Sequence, residues 1–334
     1  MSNVRDAILT GAGAASEFHD AFRVRDAVVD GAQAIDVFEA ISDLAIPLQF
    51  APLEGLLGAC VRINDTAVGI LITSRRDLHL QRFTAAHELG HFLLQHEGSL
   101  DREVRMPGQT KGRDFREVEA DAFAAEFLTP KWLIAGIAKR HGWWSISHLS
   151  TPDIVYQLSL RLAVSYEATC RGLASQACIS STVAEELIES PPKSSKLRAL
   201  RGVSLDNPWA DVWCLDSKDD GAFIDAGPDD LIVLTLDEHA SAGYSWDTTS
   251  AQTVGCVIVG DSSEFDSIAI GGSASRRLVL RLPSRGVHDL RFSYQRPFSK
   301  STNTAKHFHL NVSTLGARPE GPYIARQAPP PTLQ

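Results

Sequence analysis

The sequence predicts an α+β chain: a mainly helical first part carrying a small sheet, then an all-β second part folded as a sandwich. Three observations carry that expectation. Up to about residue 190 most apolar residues recur at helical spacing, interrupted by three short strand-like runs. The stretch "ESPPKSSKLRALRG" is rich in Pro, Ser and basic residues and reads as a linker. Beyond it helical periodicity disappears, and short β-rich runs alternate with Gly, Ser, Asp and Pro. The expected division is 1–190, a linker at 191–208, a sandwich at 209–320 and a loose tail at 321–334. At 334 residues, two or more units are the normal outcome.

The elements follow in order. Residues 1 to about 30 are Ala-rich and weakly patterned, consistent with a short helix or partial disorder. In "GAQAIDVFEAISDLAIPLQFAP", Ala34, Val37, Phe38 and Ile41 share a helical face, and "IPLQFAP" reads as a strand. "LLGACVRINDTAVGILITS" holds two apolar runs around Asn64 and Asp65, a hairpin ending at Ser74. Residues 82–96 form a helix with Phe83, Ala86, Leu89, Leu93 and Leu94 on its apolar side and Thr84 as N-cap. A polar loop, "GSLDREVRMPGQTKGRD", leads to the helix "FREVEADAFAAEFLTP", which Pro130 stops. Further helices follow in "KWLIAGIAKRHGWW" and "TPDIVYQLSLRLAVSYEATCRGLASQAC". The β-rich runs are "DLIVLTLDE", "TVGCVIVG", "SIAIGG", "RRLVLRLPS", "VHDLRFSYQRP" and "KHFHLNVST".

Composition narrows the function classes. With 44% hydrophobic and 22% charged residues the chain has an ordinary globular make-up. A net charge of -9 argues against a general nucleic-acid binder, which needs a basic face to release counterions, and suits a basic protein partner. The five cysteines are scattered and form no CxxC pair, as expected of a reducing, cytoplasmic setting. The N-terminus lacks the continuous apolar core of a secretory signal, and no run approaches the ~18 apolar residues of a membrane span.

The stretch "RFTAAHELGHFLLQHEG", residues 82–98, carries the chemistry. On a helix, residues four apart project from one face, so His87 and His91 can bind one ion through their ring nitrogens. Glu88, one residue round, can reach a water on that ion; this is the mechanical content of H-E-x-x-H. A catalytic zinc needs a third protein ligand and an open fourth position. A third histidine at position 97 is absent: Glu97 stands there. His96 falls about 140° around the helix from His91, which disfavours it. In "REVEADAFAAEF", Glu117 and Asp121 are four apart and share a face. Glu117 is the candidate third ligand, and Asp121 the carboxylate that accepts the other N–H of a ligand histidine. Glu119 reads as a solvent-facing helix charge.

"RFTAAHELGHFLLQH" followed by "EVEADAFAAEFLTP" resembles the ImmA/IrrE family of zinc metallopeptidases, with its R-F-T-x-A-H-E-L-G-H and E-x-x-A-N-x-F-A-A-x-L-L-M-P motifs. Asp121 stands where that family usually has Asn, and Thr129 where it usually has Met. The resemblance covers about residues 30–185. It implies a zincin-like, gluzincin-type domain with zinc on His87, His91 and Glu117 and with Glu88 as catalytic base. It further implies cleavage of a DNA-binding, helix-turn-helix repressor in a stress response, mobile-element or toxin–antitoxin setting, with no direct contact of this chain with nucleic acid and no membrane association.

"DEHASAGYSWD" (237–247) and "AIGGSASRRLVLRLPSRGVHDLRFSYQRPF" (269–298) resemble chagasin-type inhibitors of cysteine peptidases, whose fold is an immunoglobulin-like sandwich. Gly243, Tyr244 and Trp246 match N-P-T-T-G-Y-x-W; Gly271 and Gly272 match part of G-x-G-G; Arg296, Pro297 and Phe298 match R-P-W. His239, Ala240, Ser241 and Ala242 replace N-P-T-T. The resemblance implies a binding end built from Tyr244, Trp246, Gly271, Gly272, Arg296, Pro297 and Phe298. The sandwich is then expected to recruit substrate or sense a signal; the alternative is a non-enzymatic regulatory protein that inhibits or binds a peptidase.

Overall fold

The structure is a computed structural model that describes residues 4–28, 31–64, 67–96, 114–238, 243–265, 274–296 and 306–324. The chain forms two compact units, neither continuous in sequence. The first comprises residues 1–27, 35–131 and 317–334, the second 28–34 and 132–316. The architecture is α+β.

In the first unit the Ala-rich N-terminus is an 18-residue helix, α1 (Val4–Ala21), followed by the short α2 (Val24–Ala27). Ala7, Gly11, Ala15 and Phe18 recur at three- and four-residue spacing and are buried, so small side chains make a face for close approach. The helix α3 (Val37–Asp43) is capped by Asp36, whose carboxylate accepts from the amides of Phe38 and Glu39. Strand β1 (Leu48–Ala51) runs parallel to β3 (Ala67–Thr73), which pairs antiparallel with β2 (Gly58–Asn64) as the expected hairpin. A two-residue strand, Gly321–Pro322, pairs with the other side of β1, leaving β2 at the sheet edge among the described residues.

Two helices complete the unit. The first, α4 (Leu78–Leu93), starts at Asp77, whose carboxylate accepts from the Leu80 amide at 2.9 Å. Thr84 is therefore not the cap: it lies about two turns inside the helix and is buried. The true cap was readable as an Asp ahead of the apolar run; a start chosen beside the motif misses it. The second, α5 (Phe115–Leu128), is capped by Asp114 and ends at Thr129, whose backbone leaves the helical region ahead of Pro130. It packs along α1, where Phe18 meets Phe127 edge-on at 5.6 Å.

Residues 317–324, read as the end of the sandwich and the start of a loose tail, belong to the first unit and are hydrogen-bonded within it. Gln81, fully buried, donates to the Arg318 carbonyl (3.0 Å) and accepts from the Arg318 amide (2.7 Å). Tyr323 donates to the Leu48 carbonyl through its amide (2.8 Å) and to Glu39 through its hydroxyl (3.1 Å). The remaining tail residues, 325–334, lie outside the described residues.

The second unit joins helices to the sandwich: α6 (Lys131–His141), α7 (Ile146–Leu149), α8 (Pro152–Leu162), α9 (Tyr166–Ser175), α10 (Ser181–Ile188) and α11 (Lys193–Leu200). The last of these stands where a linker was expected. Its Leu200 is fully buried against Val212, Leu231, Val233 and Val279, so one apolar position docks a segment that composition reads as polar. Nor is residue 190 a boundary. The α8 side chains of Tyr156 and Leu160 share the sandwich core. Gln157 of α8 donates to the Val212 carbonyl and accepts from the Cys214 amide, both at 2.8 Å, as a neighbouring strand would.

The sandwich has two four-stranded sheets. One is ordered β4 (Val212–Asp216), β6 (Leu231–Glu238), β9 (Ala274–Arg281), β8 (Val257–Phe265); the other is ordered β5 (Ala222–Asp225), β11 (Lys306–Ser313), β10 (Val287–Gln295), β7 (Ser245–Asp247). The pairs β4–β6 and β5–β11 are parallel and the rest antiparallel. Alternating residues such as Leu290, Phe292 and Tyr294 face the shared core. The short strands β4, β5 and β7 carried no clear alternation, while "TVGC" contributes to a short helix, α12 (Thr249–Thr253), and the turn after it. "SIAIGG" lies outside the described residues. No helix among the described residues is long and apolar enough to cross a membrane.

Candidate metal centre

The site is built within the first unit from α4 and α5. The four-residue spacing on α4 brings His87 Nε2 and His91 Nε2 to 3.0 Å of one another. From α5, Glu117 places its two oxygens 3.5 Å from His87 Nε2 and 3.6 Å from His91 Nε2. The three donor atoms lie within 4.8 Å of one another, and both histidines are buried. Burial, reinforced by neighbouring His87 and opposed by Glu117, pushes the His91 imidazole down to about 3, so its ring stays neutral.

The outer nitrogens show what the inner ones face. His87 Nδ1 lies 2.9 Å from an Asp121 oxygen, and a proton on that nitrogen leaves Nε2 with its lone pair. His91 Nδ1 lies 2.8 Å from Nδ1 of His96. Two imidazole lone pairs and a carboxylate thus converge on one small volume. Without a cation they repel, and together they could hold one metal ion. The donor set fits the metal that the sequence implies.

Glu88 follows His87 on α4 and is fully buried. Its Oε1 borders the backbone of β2: a Cβ on Gly58 would stand 2.8 Å from it and 2.5 Å from the Thr84 methyl. Gly58 thus leaves the space that the Glu88 carboxylate occupies. A single glycine at a strand start carries no signal for such a role.

Two more residues escaped the sequence reading. His96 is placed beneath His91 because α4 ends before it. The Gln95 backbone is left-handed (φ 56°), the His96 amide donates to the His91 carbonyl (3.0 Å), and the Gln95 amide donates to that of Phe92 (3.2 Å). This helix-ending turn folds the chain back, so a helical-wheel angle of about 140° does not apply. Glu119, read as a solvated charge, sits 2.9 Å from His96 Nε2. Glycine on α1 explains its position: a Cβ on Gly11 would lie 2.0 Å from the Glu119 carbonyl oxygen, so α1 packs directly against the α5 backbone there.

In the second unit, His141, Asp216 and Asp219 form another group of metal-compatible residues. Arg161 already serves it, donating to both Asp219 oxygens (3.0 and 3.1 Å) and to His141 Nε2 (3.1 Å). The guanidinium is the cation of that cluster.

Of the residues assigned to the sandwich's binding end, Trp246 points inward. It is 5% exposed, donates from Nε1 to the Asp237 carbonyl (3.0 Å) and packs 5.0 Å from Tyr294. Its pairing on β7 turns it to the core, so it offers no contact surface. Tyr244 stacks on Tyr294 (5.3 Å) and is covered by Arg296 (4.7 Å), which is exposed. Gly271, Gly272, Pro297 and Phe298 lie outside the described residues, as do His239 to Ala242 and the polar loop bearing Arg102, Arg105 and Lys111.

A pair of buried histidines, a facing glutamate and a neighbouring carboxylate are the parts of a metal-dependent hydrolase. The comparisons make this more specific. Residues 41–174 match the family model of the IrrE N-terminal-like domain, a metallopeptidase family, and residues 226–312 match that of the chagasin family of peptidase inhibitors. Both resemblances carried by the motifs are therefore found. The solved structure of the cysteine protease inhibitor EhICP2 from Entamoeba histolytica is 22% identical, covering 32% of this chain and 98% of its own, with a TM-score of 0.28. Amebosin, solved in solution, is 18% identical, covering 30% of this chain and 94% of its own, with a TM-score of 0.25. No curated protein matches the chain.

Proposed function

We propose that the protein is a cytoplasmic zinc endopeptidase of the gluzincin type, with His87, His91 and Glu117 as metal ligands and Glu88 as general base. The observation that carries this reading is the convergence of the two Nε2 atoms and the Glu117 carboxylate, with the outer nitrogens of the histidines 2.9 Å from Asp121 and 2.8 Å from His96. Bound zinc would supply Lewis acidity, polarising the scissile carbonyl and acidifying water. The protein's own groups do the rest. Glu88 takes the proton of the attacking water and returns it to the leaving amine. Burial beside β2 keeps its carboxylate out of bulk solvent. Among the described residues β2 is the last strand of its sheet, a position at which an extended substrate would add its backbone next to Glu88.

The substrate proposed is a basic, DNA-binding repressor, which the net charge of -9 favours, in a stress-response, mobile-element or toxin–antitoxin setting. The match to the chagasin family supports protein binding by the sandwich, as a recruiting or sensing module. It also favours a second reading, inhibition of a cysteine peptidase through Tyr244 and Arg296. That reading requires the chain to inhibit a papain-like enzyme. The leading reading is tested with Glu88→Gln: zinc content unchanged and hydrolysis of quenched peptides abolished, whereas His91→Ala loses the metal. Full hydrolysis by Glu88→Gln would overturn it.

A further inference from the structure

The two candidate ligand histidines are held differently. The outer nitrogen of His87, Nδ1, lies 2.9 Å from an Asp121 oxygen. At His91 the outer neighbour is another imidazole: its Nδ1 meets Nδ1 of His96 at 2.8 Å, and His96 Nε2 meets Glu119 at 2.9 Å. A chain of two imidazoles and a carboxylate has two possible proton arrangements. In one, His91 Nδ1–H donates to His96 Nδ1, and His96 Nε2–H donates to Glu119. In the other, His96 Nδ1–H donates to His91 Nδ1; His96 Nε2 then presents a lone pair to the Glu119 carboxylate, and His91 Nε2 carries a proton toward the centre. The second arrangement sets acceptor against acceptor at 2.9 Å between His96 and Glu119, while the first satisfies both contacts of His96 and leaves the His91 Nε2 lone pair for the metal.

We propose that Glu119 and His96 are positioning residues that select the His91 tautomer and aim its Nε2 lone pair into the metal centre. The inference rests on the metal reading above. Three features of the fold enforce the relay. The left-handed Gln95 turns the chain so that His96 lies beneath His91 rather than continuing the helix. His96 is 8% exposed, which keeps water from substituting for it. The backbone contact at Gly11 braces α5 at Glu119. The chemistry is a carboxylate–imidazole pair acting on a ligand through its outer nitrogen, which raises ligand basicity and restricts ring rotation. His96 is not itself a ligand, because its contact is with the face of His91 away from the centre.

The test uses the full chain, with zinc affinity from competition against a chromophoric chelator and the visible absorption of the cobalt-loaded protein. His96→Phe and Glu119→Ala are expected to weaken zinc binding about 10- to 100-fold and to alter the cobalt bands. Glu119→Gln keeps an oxygen that can accept from His96 Nε2–H but loses the negative charge, so its affinity should fall between those of the wild type and Glu119→Ala. Wild-type affinity in a folded His96→Phe, or a loss in Glu119→Gln as large as in Glu119→Ala, overturns the relay. If His96→Phe does not fold by near-UV dichroism, the two Glu119 variants decide alone. Wild-type protein that binds neither metal sinks the centre itself, a result distinct from tight binding that the variants leave undiminished.

Discussion

Replacing Gly58 by Ala separates the base from the metal. The Gly58 backbone is not left-handed, so alanine is excluded there by space and not by conformation. Its Cβ would sit 2.8 Å from Glu88 Oε1, 2.5 Å from the Thr84 methyl and 3.1 Å from the Leu71 carbonyl oxygen. Ordinary contacts begin at roughly 3.5 Å, so the carboxylate must retreat by about 0.7 Å and the methyl by about 1 Å. Misplacing a reacting group by that much costs on the order of a hundredfold in rate. The overpacking itself costs about 1–3 kcal/mol of stability. The assay is steady-state hydrolysis of quenched peptides by zinc-loaded protein, with zinc affinity measured alongside. Expected is a kcat about a hundredfold lower at unchanged zinc affinity, because no ligand touches Gly58. Gly69→Ala on the neighbouring strand is the control: its nearest atom would be 3.6 Å away, and activity should be retained. Wild-type kcat in Gly58→Ala refutes the argument. So does zinc loss in proportion to the loss of rate, which would place the effect on the ligands.

Two further outcomes are expected. Deleting residues 317–334 removes the Arg318 partners of fully buried Gln81 and the strand paired with β1, at a cost of about 2–5 kcal/mol; chemical denaturation should show it, and hydrogen exchange should localise it to residues 48–51. Burial and Arg161 push the His141 imidazole down to about 3, against about 6.5 when unfolded. The unfolded chain then binds more protons between those values. The stability conferred by a neutral His141 is complete above about pH 6.5 and is lost as pH falls toward 3, by about 2 kcal/mol between pH 7 and 5. Urea midpoints at the two pH values, compared with His141→Gln, should show a smaller acid loss in the variant; equal slopes would remove His141 from the effect.

How much was legible depends on the range of the interaction. The triad could be read because its rule is local: residues four apart on a helix share a face, and two such pairs, His87 with His91 and Glu117 with Asp121, needed only to be brought together. The β-hairpin and the Pro130 stop were local in the same sense. Gly58, His96 and Glu119 were not. Each acts through a contact between elements distant in sequence or through a helix end, and the sequence marks none of them by composition. Trp246 shows the converse error, since a motif position was read as a surface and the strand pairing turned it to the core.

The sequence by itself determined the α+β class, the candidate metal group His87, His91 and Glu117 and the two family resemblances, because these depend on spacing within single elements. Only the tertiary structure decided where the units divide, since helices after residue 131 bury their apolar side against the sandwich strands and the segment after residue 316 pairs with β1. It also decided how each ligand histidine is held: Asp121 reaches His87 directly, and a turn at Gln95 brings His96 and Glu119 to His91. The physical reason is that burial and hydrogen-bond satisfaction are settled between elements, after the local spacing has been spent on forming them.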